Sequence, residues 1–144
     1  MNAFGGVDAV VHAVAGTLPH GLPSGVPIEQ VDRLCRRNTR AMVLLNREAA
    51  RHLRDGGAIV NMTTSLVGRP MPFHTACTAG PAAIDALTRV LAQELVHRGI
   101  TVNAVCLDVD GPCEPNQIAD IIVYLLSEAG HSLTGRVIYV HQSR

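Results

Sequence analysis

The stretch from Leu91 to Val105 reads LAQELVHRGITVNAV and contains the transition that decides the fold class. Leu91 and Leu95 continue an apolar pattern with the three- and four-residue spacing of a helix. Gly99 follows, and the next residues, Thr101–Leu107, form a mainly apolar run of the length typical of a buried strand. A helix that leads directly into a buried strand indicates an α/β fold.

Three further strands are predicted on either side of this stretch. Residues 9–16, 58–62 and 136–140 are short, mainly apolar runs that are bounded by turn residues. Together with residues 101–107 they give four strands that alternate with helices, which indicates a parallel sheet with right-handed crossovers. The sequence therefore predicts a single α/β domain over residues 1–144, with the first strand as an open edge of the sheet.

The connections between these strands are predicted to be helical. Residues 27–53 carry apolar side chains at helical spacing, and the Gly56-Gly57 pair is expected to end this helix. Residues 64–80 contain two prolines and two glycines and are predicted to be a loop. A second helix is then predicted to start at Pro81, because proline suits the first position of a helix.

The helix predicted from Pro81 carries apolar residues on two sides. One stripe holds Ile84, Leu87, Leu91 and Leu95, and the other holds Ala83, Ala86 and Val90. A helix that is apolar on two sides is expected to be buried on both, one against the sheet and one against a partner chain. The pattern predicts a dimer or tetramer. Residues 116–127 supply a third helix.

Composition and charge exclude several functional classes. Hydrophobic residues make up 47% of the 144 residues but aromatic residues only 3%, so the core is expected to be aliphatic. The formal net charge is zero, which provides no field to attract nucleic acid or an anionic membrane. All 12 basic residues are arginine, so the chain offers no ammonium group for Schiff-base chemistry.

Targeting signals and cysteine usage favour the cytoplasm. No segment reaches the roughly 18 apolar residues that a membrane span needs, and no basic segment followed by an apolar run suggests a signal peptide. The four cysteines are scattered without CxxC spacing. These features predict a cytoplasmic protein with reduced thiols.

The chain resembles the short-chain dehydrogenase/reductase family from that family's fourth strand to its C-terminus. The similarity is most specific at residues 91–95 and 98–105, which match the helix and strand that follow the family's active site. Residues 57–61 resemble the strand that leads to the catalytic serine, and residues 118–127 and 133–135 resemble the closing helix and last strand. The resemblance implies a truncated Rossmann-like domain, with a four-stranded parallel sheet and covering helices.

This sequence departs from the family at the residues that transfer protons and hold the cofactor. The family's Tyr-x-x-x-Lys pair falls on Cys77 and Pro81, and its serine position falls on Thr64, with Ser65 beside it. Asn38 matches the asparagine of the family's fourth helix. The sequence contains no GxxxGxG turn to hold a cofactor pyrophosphate. The resemblance therefore implies a scaffold without NAD(P)-dependent hydride transfer, and neither a cofactor nor a metal ion is expected.

In open α/β sheets, ligands bind beyond the carboxyl ends of the strands. The candidate catalytic residues at that edge are Thr64, Ser65, His74, Cys77 and Asp108, and His12 also lies near a strand end. The pair formed by His74 and Cys77 has two interpretations. Either the imidazole activates the thiol as a nucleophile, or Cys77 fills the space of a tyrosine ring and His74 is exposed.

The acidic and cysteine residues nearby also leave alternatives open. Asp108, Asp110 and Glu114 either polarise a ligand or cap a shortened loop. A metal site could draw on His74, Cys77, Cys106 and Cys113. Their spacing matches no metal signature, which argues against such a site.

Two functional hypotheses from different classes follow. The first is a cofactor-independent protein that binds a small organic molecule in the strand-end cleft and acts as a lyase, isomerase or cyclase. Such reactions need only an acid, a base and a shaped pocket. The second is a non-catalytic subunit that associates with a full-length reductase of the family through the two long helices. The expected assembly is a homo-oligomer or a hetero-oligomer with such a reductase.

Overall fold

The computed structural model describes residues 5–13, 21–108 and 114–140. Over these residues, four strands and the helices between them alternate along the chain. The strands are β1 (Val7–His12), β2 (Leu53–Thr64), β3 (Thr101–Leu107) and β4 (Val137–Val140). They form one parallel sheet in the order β1-β2-β3-β4, which confirms the predicted fold class.

The helices fill the connections between the strands. They are α1 (Ile28–Cys35), α2 (Ala41–His52), α3 (Thr75–Glu94) and α4 (Pro115–Leu126). A π-helical turn, Arg36–Arg40, joins α1 to α2, so the helix predicted over residues 27–53 is confirmed as one continuous helical segment. Short 3-10 turns lie at Pro23–Gly25, Val96–Arg98 and Glu128–Ser132.

Helices cover both faces of the sheet. On one face, α2 and α3 pack against β2 and β3 through Ala49, Ala92, Ile59 and Val102. On the other face, α4 packs through Leu125 against Val60, Val105 and Val140. The core is aliphatic, as the composition predicts. Val11, on the edge strand β1, is 40% exposed. No helix within the described ranges is long and apolar enough to cross a membrane.

The sequence indicated that the Gly56-Gly57 pair ends the first long helix, but the structure shows that it does not. α2 ends at His52 and β2 begins at Leu53, so both glycines lie within β2. Gly56 has a φ of 77°, and a Cβ on Gly57 would lie 2.9 Å from the carbonyl oxygens of Arg54 and Asp8. The glycines therefore permit a left-handed residue and a close approach of β1, rather than a helix cap.

The second long helix also begins earlier than predicted. α3 starts at Thr75, with His74 as its N-cap residue, and Pro81 lies inside the helix. An internal proline removes one helical hydrogen bond and costs about 3 kcal/mol in an exposed helix. Here Cys77, Gly80 and Pro81 are all buried. Packing against the rest of the domain thus stabilises a helix that continues through Pro81, although proline locally favours a helix start.

Arg98 satisfies the carbonyl groups at the end of α2. Its guanidinium donates to the carbonyl oxygens of Ala50 and Leu53, and its Nε donates to the Asp55 carboxylate at 2.7 Å. Carbonyls in the last turn of a helix have no intrahelical donor. Arg98 follows α3 in the chain, so this contact ties the end of α3 to the end of α2 and the start of β2.

Substitution of Arg98 by methionine is expected to lower the free energy of unfolding by about 2–3 kcal/mol, because it leaves two carbonyls without a donor. Denaturant unfolding followed by circular dichroism measures this change. Arg33→Met, at an exposed position on α1, is the matched control and should change stability by less than about 0.5 kcal/mol. Equal effects of the two substitutions would contradict the capping role.

Candidate functional site

The carboxyl ends of β2 and β3 lie side by side. Thr64 pairs with Leu107 in the sheet, and the Ser65 N–H donates to the Leu107 carbonyl at 2.9 Å. Ser65 and Asp108 therefore follow directly on adjacent strands. The Ser65 hydroxyl donates to Oδ1 of Asp108 at 3.2 Å. The structure thus brings these two candidate residues into one hydrogen-bonded pair.

A guanidinium group completes this cluster. Nη1 of Arg69 lies 3.7 Å from Oδ1 of Asp108, and the Arg69 N–H donates to the Ser65 carbonyl at 3.0 Å. Asp108 is partly accessible, and Arg69 is mostly exposed. A hydroxyl, a carboxylate and a guanidinium at one strand end can together bind a carbonyl or hydroxyl group. The sequence did not single out Arg69, because nothing in a loop marks which arginine turns back toward a strand end.

Thr64 places a second hydroxyl at the end of β2. Its Oγ1 is buried and has no hydrogen-bond partner among the residues that the structure describes. A buried hydroxyl without a partner costs about 1–3 kcal/mol. The position of Thr64 is therefore one where a water molecule or a polar ligand atom would be stabilised.

His74 and Cys77 form a separate group at the start of α3. The His74 ring donates from Nδ1 to the Pro72 carbonyl at 2.8 Å, because a carbonyl can only accept. The Cys77 N–H donates to the His74 carbonyl at 2.9 Å. The Cys77 side chain has 0% exposure, and this burial raises the pKa of its thiol. A raised pKa is the opposite of what an activated nucleophile needs.

Residue Phe73, just before this group, has an unusual backbone conformation. Its φ is 67°, in the left-handed region that few non-glycine residues adopt. Its carbonyl accepts a hydrogen bond from the Gly21 N–H at 2.9 Å, which holds the turn that leads into α3. No sequence pattern indicated this conformation in advance.

Two further titratable side chains are buried near the sheet. His12 ends β1, and neither of its ring nitrogens has a hydrogen-bond partner in the described part of the chain. Burial lowers the pKa of His12 below its ordinary value of 6.5. Asp85 lies on the sheet-facing side of α3, and burial raises its pKa, while a hydrogen bond from Thr63 and the charge of Arg89 act in the opposite direction.

Some residues considered for the site are not part of the described structure. Asp110, Cys113 and the predicted end of the first strand at Gly16 all lie outside the described residues. Cys106 is buried on β3. Within residues 5–13, 21–108 and 114–140, no group of three or more His, Cys, Asp or Glu side chains could hold a metal ion.

Comparison with known proteins identifies the family of this chain. The family model described as enoyl-(acyl carrier protein) reductase matches residues 1–112. The chain belongs to the short-chain dehydrogenase/reductase family. A short-chain type dehydrogenase/reductase of Picea abies is 39% identical over 108 residues, which cover 72% of this chain and 40% of that protein.

Two other members of the family support this assignment. NADPH-dependent aldehyde reductase 2, chloroplastic, of Arabidopsis thaliana is 31% identical, and the match covers 92% of this chain and 58% of that protein. A solved short-chain dehydrogenase/reductase of Serratia marcescens superimposes with a TM-score of 0.87 at 27% identity, covering 95% of this chain and 65% of that one. This chain spans less than two thirds of the length of each.

The residues at the family's Tyr and Lys positions do not fit a nicotinamide cofactor in this short-chain dehydrogenase/reductase domain. Cys77, at the Tyr position, is fully buried in the core and has no phenol group. Pro81, at the Lys position, is buried inside α3 and has neither a charge nor an N–H to hold a ribose. Thr64 retains a hydroxyl at the serine position. The scaffold is present, and the side chains of the proton-transfer pair are replaced.

The burial of Cys77 predicts that its thiol is unreactive in the folded protein. Iodoacetamide at pH 8 should label Cys35, which is exposed, and should leave Cys77 unlabelled until denaturant is added. Peptide mass spectrometry after timed quenching measures both sites in one sample. Labelling of Cys77 as fast as Cys35 would show an accessible, activated thiol and would contradict the buried position.

The lowered pKa of His12 predicts acid sensitivity. Below pH 6.5 the unfolded chain binds a proton at His12 that the folded chain does not, so stability should fall as the pH falls below 6.5. The slope from one such group is at most about 1.4 kcal/mol per pH unit. Denaturant unfolding between pH 5 and 7.5 should show a smaller slope for His12→Gln. His97→Gln, at an exposed position, is the control, and an unchanged slope in His12→Gln would contradict the assignment.

Proposed function

We propose that this chain is a short-chain dehydrogenase/reductase domain that binds a small organic molecule at its strand-end cleft without transferring a hydride. One observation carries the proposal. Cys77 and Pro81, at the family's Tyr and Lys positions, are buried on α3. Neither can donate a proton to a carbonyl or hold a cofactor ribose, whereas the polar cluster at the strand ends is partly accessible.

The cluster of Ser65, Arg69 and Asp108 supports acid–base chemistry of the lyase, isomerase or cyclase type. The Asp108 carboxylate accepts a hydrogen bond from Ser65 and lies beside the Arg69 guanidinium. In an isomerisation, Asp108 would take a proton from a carbon next to a substrate carbonyl. Arg69 would stabilise the negative charge on the carbonyl oxygen, and Asp108 would return the proton at another carbon.

The other candidate residues have lesser roles in this proposal. Thr64 offers a hydroxyl that has no hydrogen-bond partner among the described residues, as an anchor for a polar atom of the ligand. His74 is held at the start of α3 by its contact with the Pro72 carbonyl and would line the approach to the cleft. Cys77 is assigned a packing role, because burial raises the pKa of its thiol.

A second candidate function is that of a non-catalytic subunit that pairs with another member of the family. The exposed side of α2 and α3 favours it. Val43 and Val90 are both exposed and line the same groove, and an exposed apolar patch can mark an interaction site. In this alternative, the altered residues in α3 have no catalytic consequence, and the helices provide the function.

Proton abstraction by Asp108 can be tested with cyclohexanone as the probe. NMR in D₂O follows the exchange of its α-protons at pH 7.5, with NADH or NADPH added in parallel samples. We expect protein-dependent exchange that falls at least tenfold in Asp108→Asn and several-fold in Ser65→Ala. Asp120→Asn, at an exposed position on α4, should exchange at the wild-type rate.

Two outcomes of this experiment would contradict the proposal. Oxidation of NADH or NADPH with formation of cyclohexanol would show hydride transfer by this chain. Exchange at the same rate in the wild type, Asp108→Asn and buffer alone would show that the cluster does not act as a base, and would favour the subunit function.

A further inference from the structure

β1 is the edge strand of the sheet that the described residues form. It pairs with β2 on one side, and the backbone N–H and C=O groups that point to its other side have no strand partner within these residues. Edge strands usually carry a proline or charged side chains that oppose pairing with a further strand. Ala9, Val10 and Val11 are uncharged. Asp8, the one acidic side chain of β1, is bound to Arg54 at 2.8 Å. The outer edge of β1 is therefore suited to pairing with another strand.

Aliphatic side chains are exposed on both faces of the sheet beside this edge. Val11 is 40% exposed and pairs with Val60, so it lies on the face that α4 covers further along the sheet. Leu45, on α2, is 41% exposed on the other face. Val43 and Arg47 line the groove between α2 and α3. Residues two apart on a helix project about 200° apart, so Leu45 projects away from α3 and over the outer edge of β1. An apolar flank thus borders the edge on each face.

The position of α2 leaves room for a second copy of the chain beside β1. α2 packs over both β1 and β2. Because neighbouring strands lie about 4.8 Å apart, the axis of α2 lies about 2 Å inward of β1. Two β1 strands at the same spacing would then place the α2 axes of two copies about 10 Å apart. Packed helices lie about 8–10 Å apart, so the two copies can be continuous in their helices as well as in their strands.

We propose that a second copy of this chain pairs with the outer edge of β1 around a two-fold axis perpendicular to the sheet. The two β1 strands then run antiparallel, and corresponding faces of the two sheets lie on the same side. A pairing centred on Val10 places Ala9 opposite Val11 of the partner subunit, which matches a small side chain with a larger one on the same face. A centre on Ala9 would extend the pairing into the irregularity between Val7 and Ala9. A centre on Val11 would place the two larger side chains together.

A second copy fits these observations better than a single peptide strand does. A peptide would satisfy the backbone groups of the edge, but it would bring no helix to cover Leu45. A second copy brings a strand, an α2 helix and an exposed Val11, and so it covers the edge and both apolar flanks in one contact. This contact does not use the groove between α2 and α3. It is also independent of the chemistry proposed at the strand ends.

A charge placed on the edge tests the proposed contact. We expect the wild type to sediment as a dimer at about 50 μM in analytical ultracentrifugation, a concentration well above the Kd of a specific dimer. Val11→Lys should weaken dimerisation at least tenfold, because a lysine on an edge strand opposes pairing and the two-fold axis repeats it. Val123→Lys, at an exposed position on α4, is the matched control and should leave the dimer unchanged. Circular dichroism melting shows whether both variants are folded.

Cysteine crosslinking tests the register of the pairing. Ala9→Cys and Val11→Cys are each made in a chain in which Cys35 and Cys113 are replaced by serine. Directly opposite residues of an antiparallel pair have Cα atoms about 4.5–5.5 Å apart, which a disulfide can span. After mild oxidation, an equimolar mixture of the two variants should give at least fivefold more disulfide-linked dimer on a non-reducing gel than either variant alone. This result decides the question even if Val11→Lys does not fold.

Four outcomes would overturn the inference. The first is a monomeric wild type. The second is a dimer that Val11→Lys leaves intact and that Val90→Lys, in the groove between α2 and α3, disrupts. The third is crosslinking that is no greater in the mixture than in the single variants. The fourth is association only after a full-length member of the family is added, which would assign the edge to that partner instead of a second copy.

Discussion

The side of α3 that faces the sheet is buried along nearly the whole helix, and the other features of the domain depend on this packing. Asn61 on β2 donates to the Thr88 hydroxyl at 3.1 Å, and Ala92 packs against β2 and β3. Cys77 and Pro81 lie on the same buried side. These two residues stand at the family's Tyr and Lys positions, and they contribute to the core. Arg69 and Asp108, at the ends of β2 and β3, are accessible.

The sequence predicted the existence of all four strands, but β2 is longer than the predicted residues 58–62, and α3 begins earlier than Pro81. β3 has the predicted bounds, because a buried central strand is a continuous apolar run whatever surrounds it. The start of α3 and the helix-ending role given to Gly56-Gly57 were wrong, since local rules treat proline and glycine as helix boundaries. Pro81 is accommodated by burial inside α3, and Gly57 is needed for the close approach of β1. Both effects depend on neighbours that are distant in the sequence.

Some residues of the candidate site could likewise be predicted from the sequence, and others could not. Ser65 and Asp108 could be proposed from the sequence because the carboxyl ends of adjacent parallel strands meet at one edge of the sheet. Arg69 could not, because its importance depends on its long-range contact with Asp108. The long-range hydrogen bonds of Arg98 could not be predicted from the sequence either. Sequence patterns therefore located the edge where chemistry is proposed, and the structure added Arg69 to the residues at that edge.

Amide hydrogen exchange of α3, followed by NMR, tests the central claim that Cys77 and Pro81 belong to one buried helix. If both residues lie in one buried helix, the amides of Ala79 and Gly80, which precede Pro81, should exchange about as slowly as that of Leu91 near the other end of α3. Exchange of Ala79 and Gly80 at the rate of an unstructured loop, with protection beginning only after Pro81, would contradict the claim. Cys77 would then lie in a loop, and the reason for excluding it from the chemistry would be lost.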